Sequence, residues 1–127
     1  MNKILVVDDD PLVVRTLKNV LEREGYAVEA VKNAYEAVDR GTGADIDLIV
    51  CDIRLPQMSG IELIGKVKQM RSEEGKREVP VIFITGYASA EAPDQARDLG
   101  GKAYLFKPFD LDSLLEAIRT HLFRRNE

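Results

Sequence analysis

Asp8, Asp9, Asp52, Thr85 and Lys107 are the residues of this chain whose types could do chemistry together. Each closes a short aliphatic run: Asp8 and Asp9 follow Lys3 to Val7, Asp52 follows Leu48 to Cys51, Thr85 ends Val79 to Thr85, and Lys107 follows Ala103 to Phe106. Runs of this length, continuously apolar and bounded by turn residues, read as strands buried on both faces. In an open parallel sheet, ligands sit in the crevice beyond the carboxyl ends of the strands. Three carboxylates, a hydroxyl and an ammonium are therefore expected to converge on one rim. Two unit charges about 4 Å apart repel by roughly 4 kcal/mol at an effective dielectric near 20, so clustered acids need a cation, and one lysine offsets only part of that. Oxygen-only ligation without an imidazole or thiolate cluster suits Mg²⁺ and argues against zinc or copper. A carboxylate such as Asp52 can then act as a nucleophile and carry an aspartyl phosphate, with the Lys107 ammonium and the Thr85 hydroxyl on the phosphoryl oxygens. Singly, Asp52 and Thr85 read as turn formers and Lys107 as a surface charge, and Asp10 is assigned wholly to capping. It is the joint placement at four strand ends that the plainer reading leaves unexplained.

The elements that must position these residues follow from spacing. Asp10-Pro11 opens a helix carrying Val13, Val14, Leu17, Val20 and Leu21 as far as Gly25, a cap, proline and glycine in the order a helix favours. Ala27 to Val31 reads as a second strand, and Asn33 caps a short helix through Ala34, Ala37 and Val38 that ends at Gly41-Thr42-Gly43. Ser59 caps a third helix with Ile61, Leu63, Ile64, Val67 and Met70, and Glu62 stands where a capping box needs it. The charge-rich run Arg71 to Glu78 reads as a solvated helix end and loop. Pro93 interrupts the chain after the fourth strand, which predicts a long loop from Gly86 to Ala92 and a short fourth helix over Asp94 to Leu99. Asp110 caps a fifth helix with Leu111, Leu114, Leu115, Ile118 and Leu122 on one face, and Arg124 and Arg125 suit its C-terminus. Strands alternating with helices predict an α/β fold: a doubly wound, five-stranded parallel sheet of flavodoxin-like (βα)5 type, strand order 2-1-3-4-5. Tyr26 and Tyr35 are expected in the partial core, Met58 and Met70 in packing, and His121 towards solvent.

The 127 residues suffice for one domain with a core of its own. Acidic residues outnumber basic ones 22 to 18, a net charge of −4 that disfavours nonspecific binding to nucleic acid or anionic membrane. The single cysteine, Cys51, lies inside an apolar strand, can form no internal disulfide and fits a reducing compartment. The N-terminal apolar run is too short and too soon acidic for a signal peptide or a membrane span, so a cytoplasmic location is expected.

The motifs in combination resemble the receiver domain of bacterial two-component response regulators. They are the Asp8-Asp9 pair, Asp52 with Pro56 and Met58-Ser59-Gly60 behind it, Thr85-Gly86, and Lys107-Pro108-Phe109. The likeness runs from Lys3 through Leu122, and a single receiver domain over 1–127 with a core of about 3–122 is expected. The resemblance implies that Asp52 is phosphorylated from a histidine kinase phosphohistidine, and that Asp9 and Asp52 bind Mg²⁺ with the backbone carbonyl of Arg54. Asp8 would act largely through a bound water. It further implies that Lys107 binds the phosphoryl group and that Thr85 and Tyr104 form a switch pair, the hydroxyl moving towards that group as the ring turns inward. The face altered would be the one built by the fourth helix, fifth strand and fifth helix. The Lys107-Pro108 bond is cis in most of the family. Partners implied are a sensor histidine kinase or phosphotransfer protein and a downstream output domain or target protein, with no nucleic acid or membrane bound by this chain and a phosphorylation-dependent homodimer allowed. Arg54 and Tyr87 are expected to flank the phosphoryl group on the side from which water attacks and to slow hydrolysis. The enzyme-class rival is a phosphohydrolase of the haloacid dehalogenase type, which usually carries a second acid where this chain has Arg54. A nucleotide-binding module fits less well, because acids and not a glycine-rich loop follow the first strand.

Overall fold

Alternation along each strand decides the layering. In β1 (Lys3–Val7) Ile4 and Val6 belong to one apolar cluster and Leu5 and Val7 to the other, so the strand is covered on both faces. The same holds for β3 (Leu48–Asp52) and β4 (Val81–Thr85), which are buried from end to end. With β2 (Ala27–Val31) and β5 (Gly101–Phe106) they form one parallel sheet in the order β2-β1-β3-β4-β5. The structure is a computed structural model that describes residues 1–86 and 101–122. Tyr87, Pro93, the expected helix over Asp94 to Leu99, and Arg124 and Arg125 lie outside the described residues.

Helices α1 (Pro11–Arg23) and α4 (Leu111–His121) cover one face, placing Leu17, Leu21, Leu114 and Ile118 on Ile4, Val6, Val50, Ile82 and Ile84. Helices α2 (Ala34–Gly41) and α3 (Gly60–Glu73) cover the other, placing Ala37, Leu63, Ile64 and Val67 on Leu5, Ile49, Cys51 and Phe83. Capping is as the sequence suggests. Asp10, Asn33, Ser59 and Asp110 each accept a backbone N–H from the first turn of their helix, and α1 stops at Gly25, whose φ of 93° is open to glycine at no steric cost.

Several expectations need correction. The fourth strand starts at Val81, because Pro80 has no N–H to give to a ladder, and its carbonyl instead accepts from Ile49 at 3.0 Å. The fifth starts at Gly101, with a register shift between Val81 and Ile82 that skips Lys102. Tyr35 is 73% exposed, since the inward stripe of α2 is Ala34, Ala37 and Gly41 and position 35 lies a hundred degrees off it. Met70 is also exposed, because the inward stripe of α3 continues from Val67 to Arg71 at i+4. His121 is partly covered rather than open to solvent.

The run from Arg71 to Glu78 is the exposed helix end and loop that the sequence suggests, except at Arg71, which is buried, and Lys76, which is partly so. Arg71 is 3% exposed and donates from Nη1 to the carbonyls of Gly41 (3.0 Å) and Gly43 (2.7 Å) and from Nε to that of Arg77 (3.1 Å). Lys76 donates to the Thr42 carbonyl, and Arg77 holds the buried Asp47 carboxylate at 2.6 Å. Two cations, Arg71 and Lys76, thus satisfy carbonyls at and just beyond the C-terminus of α2, where a helix leaves acceptors unpaired and favours positive charge.

Candidate functional site

The carboxyl ends of β1, β3, β4 and β5 bring Asp8, Asp9, Asp52, Thr85 and Lys107 to one rim of the sheet. Asp8 is fully buried, Asp52 nearly so, and Asp9 is exposed. One carboxylate oxygen from each of the three lies within 4.8 Å of the others. Lys107 reaches across from β5, its Nζ 2.8 Å from Asp8 Oδ2 and 3.1 Å from Asp52 Oδ2, the first an ion pair without hydrogen-bond alignment and the second a hydrogen bond. The Lys107–Pro108 peptide bond is cis, and the Lys107 N–H donates to the Thr85 carbonyl at 2.7 Å, tying the β5 end to the β4 end.

Local structure fixes the acids. The Asp8 Oδ1 accepts the Asp10 N–H at 2.9 Å, and the Asp52 Oδ1 accepts the Arg54 N–H at 3.2 Å. Behind Asp52 the chain loops back on itself through an Arg54–Ser59 bridge and the Gly60 N–H donating to the Ile53 carbonyl at 2.7 Å. Gly60 has no room for a side chain, because a Cβ there would stand 2.2 Å from the Asp52 carbonyl oxygen. This close approach was hidden in the sequence, where Gly60 reads only as turn punctuation ahead of a helix.

Burial pushes the Asp52 carboxyl above its ordinary range, the Asp8 charge pushes it further, and Lys107 pulls it back. For Lys107 burial works to lower the pKa, yet its pairing with Asp8 and Asp52 outweighs that and holds it raised. The ammonium thus stays charged between two acids. An all-oxygen set of this kind fits Mg²⁺, which binds oxygen at about 2.0–2.1 Å, so that two of its ligands lie at most about 4.2 Å apart. A cluster within 4.8 Å needs only a small side-chain adjustment, or water in place of one direct bond.

Thr85 is buried at the end of β4. Tyr104, two residues before Phe106 on β5, packs against the cluster beneath α2 and α3 and meets the Phe106 ring edge-on, with centroids 5.2 Å apart. Its hydroxyl is buried without a hydrogen-bond partner among the described residues, and burial raises its pKa. Arg54 is exposed at the rim and Tyr87 lies outside the described residues. Cys51 stays buried behind Asp52, its thiol pushed up by burial and by the Asp52 and Asp8 charges.

Over residues 4–119 the chain matches the model of the response regulator receiver domain. The chain belongs to that family. A receiver domain is a signalling module, and neither the matched family nor the relatives support a phosphohydrolase of the haloacid dehalogenase type. The chain is 30% identical over 119 residues to a polar-differentiation response regulator, DivK, of Brucella anthropi, covering 94% of each. It superposes on a CheY-like receiver domain of Methanospirillum hungatei with a TM-score of 0.85 at 36% identity, over 94% of this chain and 92% of that one. It also superposes on the response regulator TrrA of Thermotoga maritima, solved in complex with Mg²⁺ and BeF, with a TM-score of 0.80 at 30% identity, over 96% and 100%. Magnesium at an acidic site, histidine kinases and output partners belong to the receiver family in general. Among the described residues, no helix is long and apolar enough to cross a membrane.

Proposed function

We propose that Asp52 of this receiver domain accepts a phosphoryl group from a phosphohistidine on a sensor histidine kinase or phosphotransfer protein. The observation that carries this is a buried carboxylate grouped with Asp8 and Asp9 within 4.8 Å and held by Lys107 at 3.1 Å. Asp9, Asp52 and the Arg54 backbone carbonyl would hold Mg²⁺, with Asp8 acting through water. When bound, that ion supplies positive charge against the phosphoryl oxygens. In the transfer an Asp52 carboxylate oxygen bonds to phosphorus as the N–P bond breaks, and the electron pair leaves with the imidazole nitrogen. The Arg54 amide orients the acceptor by its hydrogen bond to Asp52 Oδ1. The Lys107 ammonium and the Thr85 hydroxyl receive the phosphoryl oxygens, a cation and a neutral donor aimed at developing charge. Return to the resting state is hydrolysis, in which water attacks phosphorus and the Asp52 carboxylate leaves.

The readout in this proposal is the Thr85–Tyr104 pair. A Thr85 hydroxyl drawn to the phosphoryl group frees space for the Tyr104 ring, and the partner surface around β5 and the helices beside it changes shape. The domain catalyses only its own phosphorylation and dephosphorylation, works in the cytoplasm, and passes the signal to an output domain or target protein. Arg54 and Tyr87 shield the phosphoryl group from water. The experiment is incubation with acetyl phosphate and Mg²⁺ followed by peptide mapping of the labile phosphoryl group. Label on the peptide carrying Asp52 supports the proposal, whereas label on Asp8, Asp9 or a hydroxyl overturns it. An Arg54→Ala, Tyr87→Ala double variant whose aspartyl phosphate lives as long as that of the wild type removes the shielding role.

A further inference from the structure

At the opposite rim of the sheet from Asp52, a cavity of about 270 Å³ opens under the C-terminal half of α3. Its floor is apolar, made by Ile49, Ile64, Val67, Val79 and Val81. Its walls are cationic, carrying Lys68, Arg71, Lys76 and Arg77 against one acid, Glu78, in a chain whose net charge is −4. Most of this positive charge is engaged. Arg71 bonds the Gly41, Gly43 and Arg77 carbonyls, Lys76 bonds Thr42 and pairs with Glu74 at 2.9 Å, and Arg77 bonds Ile46 and Asp47.

Lys68 is different. It is half-buried, and among the described residues its ammonium forms no hydrogen bond or ion pair. Burial lowers its pKa, and the like charges of Lys102 and Arg71 add to that, while Glu78 opposes it without reaching salt-bridge distance. A cation partly withdrawn from water, with no counter-charge in contact among the described residues, is a cost that an incoming anion removes.

We infer that this cavity is a second ligand site, for a small organic monocarboxylate whose apolar body rests on Ile49, Ile64, Val67, Val79 and Val81 and whose carboxylate pairs with Lys68. One point charge that is unengaged among the described residues, over an apolar floor, suits a monoanion. A polyphosphate or nucleotide would call for the forked and clustered donors that Arg71 and Arg77 already give to carbonyls and to Asp47. The volume lies near the lower end for small-molecule pockets, which calls for one ring or a short chain. The site shares no residue with the acidic rim, so occupancy by a carboxylate and phosphorylation of Asp52 are separable events.

The test uses benzoate and octanoate as probes on the full chain, followed by amide chemical shifts and calorimetry. The expected result is saturable one-to-one binding with an affinity of about 1 mM or tighter, with shifts centred on Ile64, Val67, Val79 and Val81. Lys68→Met keeps the aliphatic stem and should weaken binding about tenfold or more, and the uncharged benzyl alcohol should bind the wild type more weakly by a similar factor. Uptake of phosphoryl from acetyl phosphate by Lys68→Met, at the wild-type rate, serves as the check that the variant is folded. Absence of saturable shifts with both probes, shifts that Lys68→Met leaves unchanged, or shifts centred on Asp8, Asp52 and Lys107 each overturn the inference.

Discussion

Replacing Asp52 with Asn should make the metal-free protein more stable. At separations of up to 4.8 Å each pair of acids repels by about 3.5 kcal/mol or more at an effective dielectric of 20, and Lys107 at 3.1 Å attracts Asp52 by about 5 kcal/mol. Asp9 is exposed, so water screens its share to about 1 kcal/mol, and the charge terms on Asp52 nearly cancel. Desolvation then sets the sign. It costs several kcal/mol for a buried ion, against about 1.5–3 kcal/mol returned by the hydrogen bond from the Arg54 amide. The balance stands against the charged form, in the same direction as the raised Asp52 pKa, for which burial is the leading cause, and the substitution should gain about 1–2 kcal/mol, within the range common for single stabilising changes. Asn keeps one oxygen for the Arg54 amide, gives up the oxygen that bonds Lys107, whose ammonium retains Asp8 at 2.8 Å, and sheds the charge. For a chain of this length the gain corresponds to a rise in Tm of about 4–7 °C.

The pH dependence follows with a definite sign. An acid whose folded pKa is raised contributes stability that is present in full below its unfolded pKa and lost as pH climbs through the folded value. The wild type therefore gives up this stability on the way to neutrality and the Asn variant does not. The assay is urea unfolding and thermal melting of both proteins with EDTA, from neutral pH down to about pH 4, the ordinary carboxylate range. The variant's advantage should be full at pH 7 and close as the pH falls. A variant no more stable than the wild type at pH 7, or an advantage that does not change with pH, would show that burial does not disfavour the Asp52 charge.

Three further outcomes can be read with simple measurements. Gly60→Ala forces a Cβ to within 2.2 Å of the Asp52 carbonyl oxygen and should cost about 1–3 kcal/mol in urea unfolding while slowing phosphoryl uptake, because the acceptor's own backbone must shift. Arg71→Met leaves the Gly41, Gly43 and Arg77 carbonyls without their donor and should cost about 1–3 kcal/mol, with amide exchange rising first at the end of α2. Tyr104→Phe deletes a buried hydroxyl that bonds nothing among the described residues, so stability should hold or rise by up to about 1 kcal/mol, and a clear loss would show that the hydroxyl is satisfied in solution.

How legible the molecule was from its residues depended on how local the cause was. Strand runs, caps at Asp10, Asn33, Ser59 and Asp110, and the order of the sheet follow from spacing within a few residues of each element, and so were readable. The gathering of Asp8, Asp9, Asp52 and Lys107 was readable as well, because parallel strands must end on one edge. Arg71 was not, since its burial is decided by carbonyls some thirty residues away at the end of α2, to which no local pattern points. Tyr35 and Met70 were misjudged because each sits one position off the inward stripe of its helix, where residue type alone suggests packing and helical phase forbids it. The cationic cavity under α3 depends on the same distant contacts.

The central proposal is that Asp52, at an acidic rim suited to Mg²⁺, takes up a phosphoryl group. The measurement that tests it most directly is intact mass after incubation with acetyl phosphate, for wild type with Mg²⁺, wild type with EDTA, and Asp52→Asn with Mg²⁺. The first sample should gain the mass of one phosphoryl group and the other two none. Equal labelling of wild type and Asp52→Asn, or labelling of the wild type that EDTA does not reduce, contradicts it.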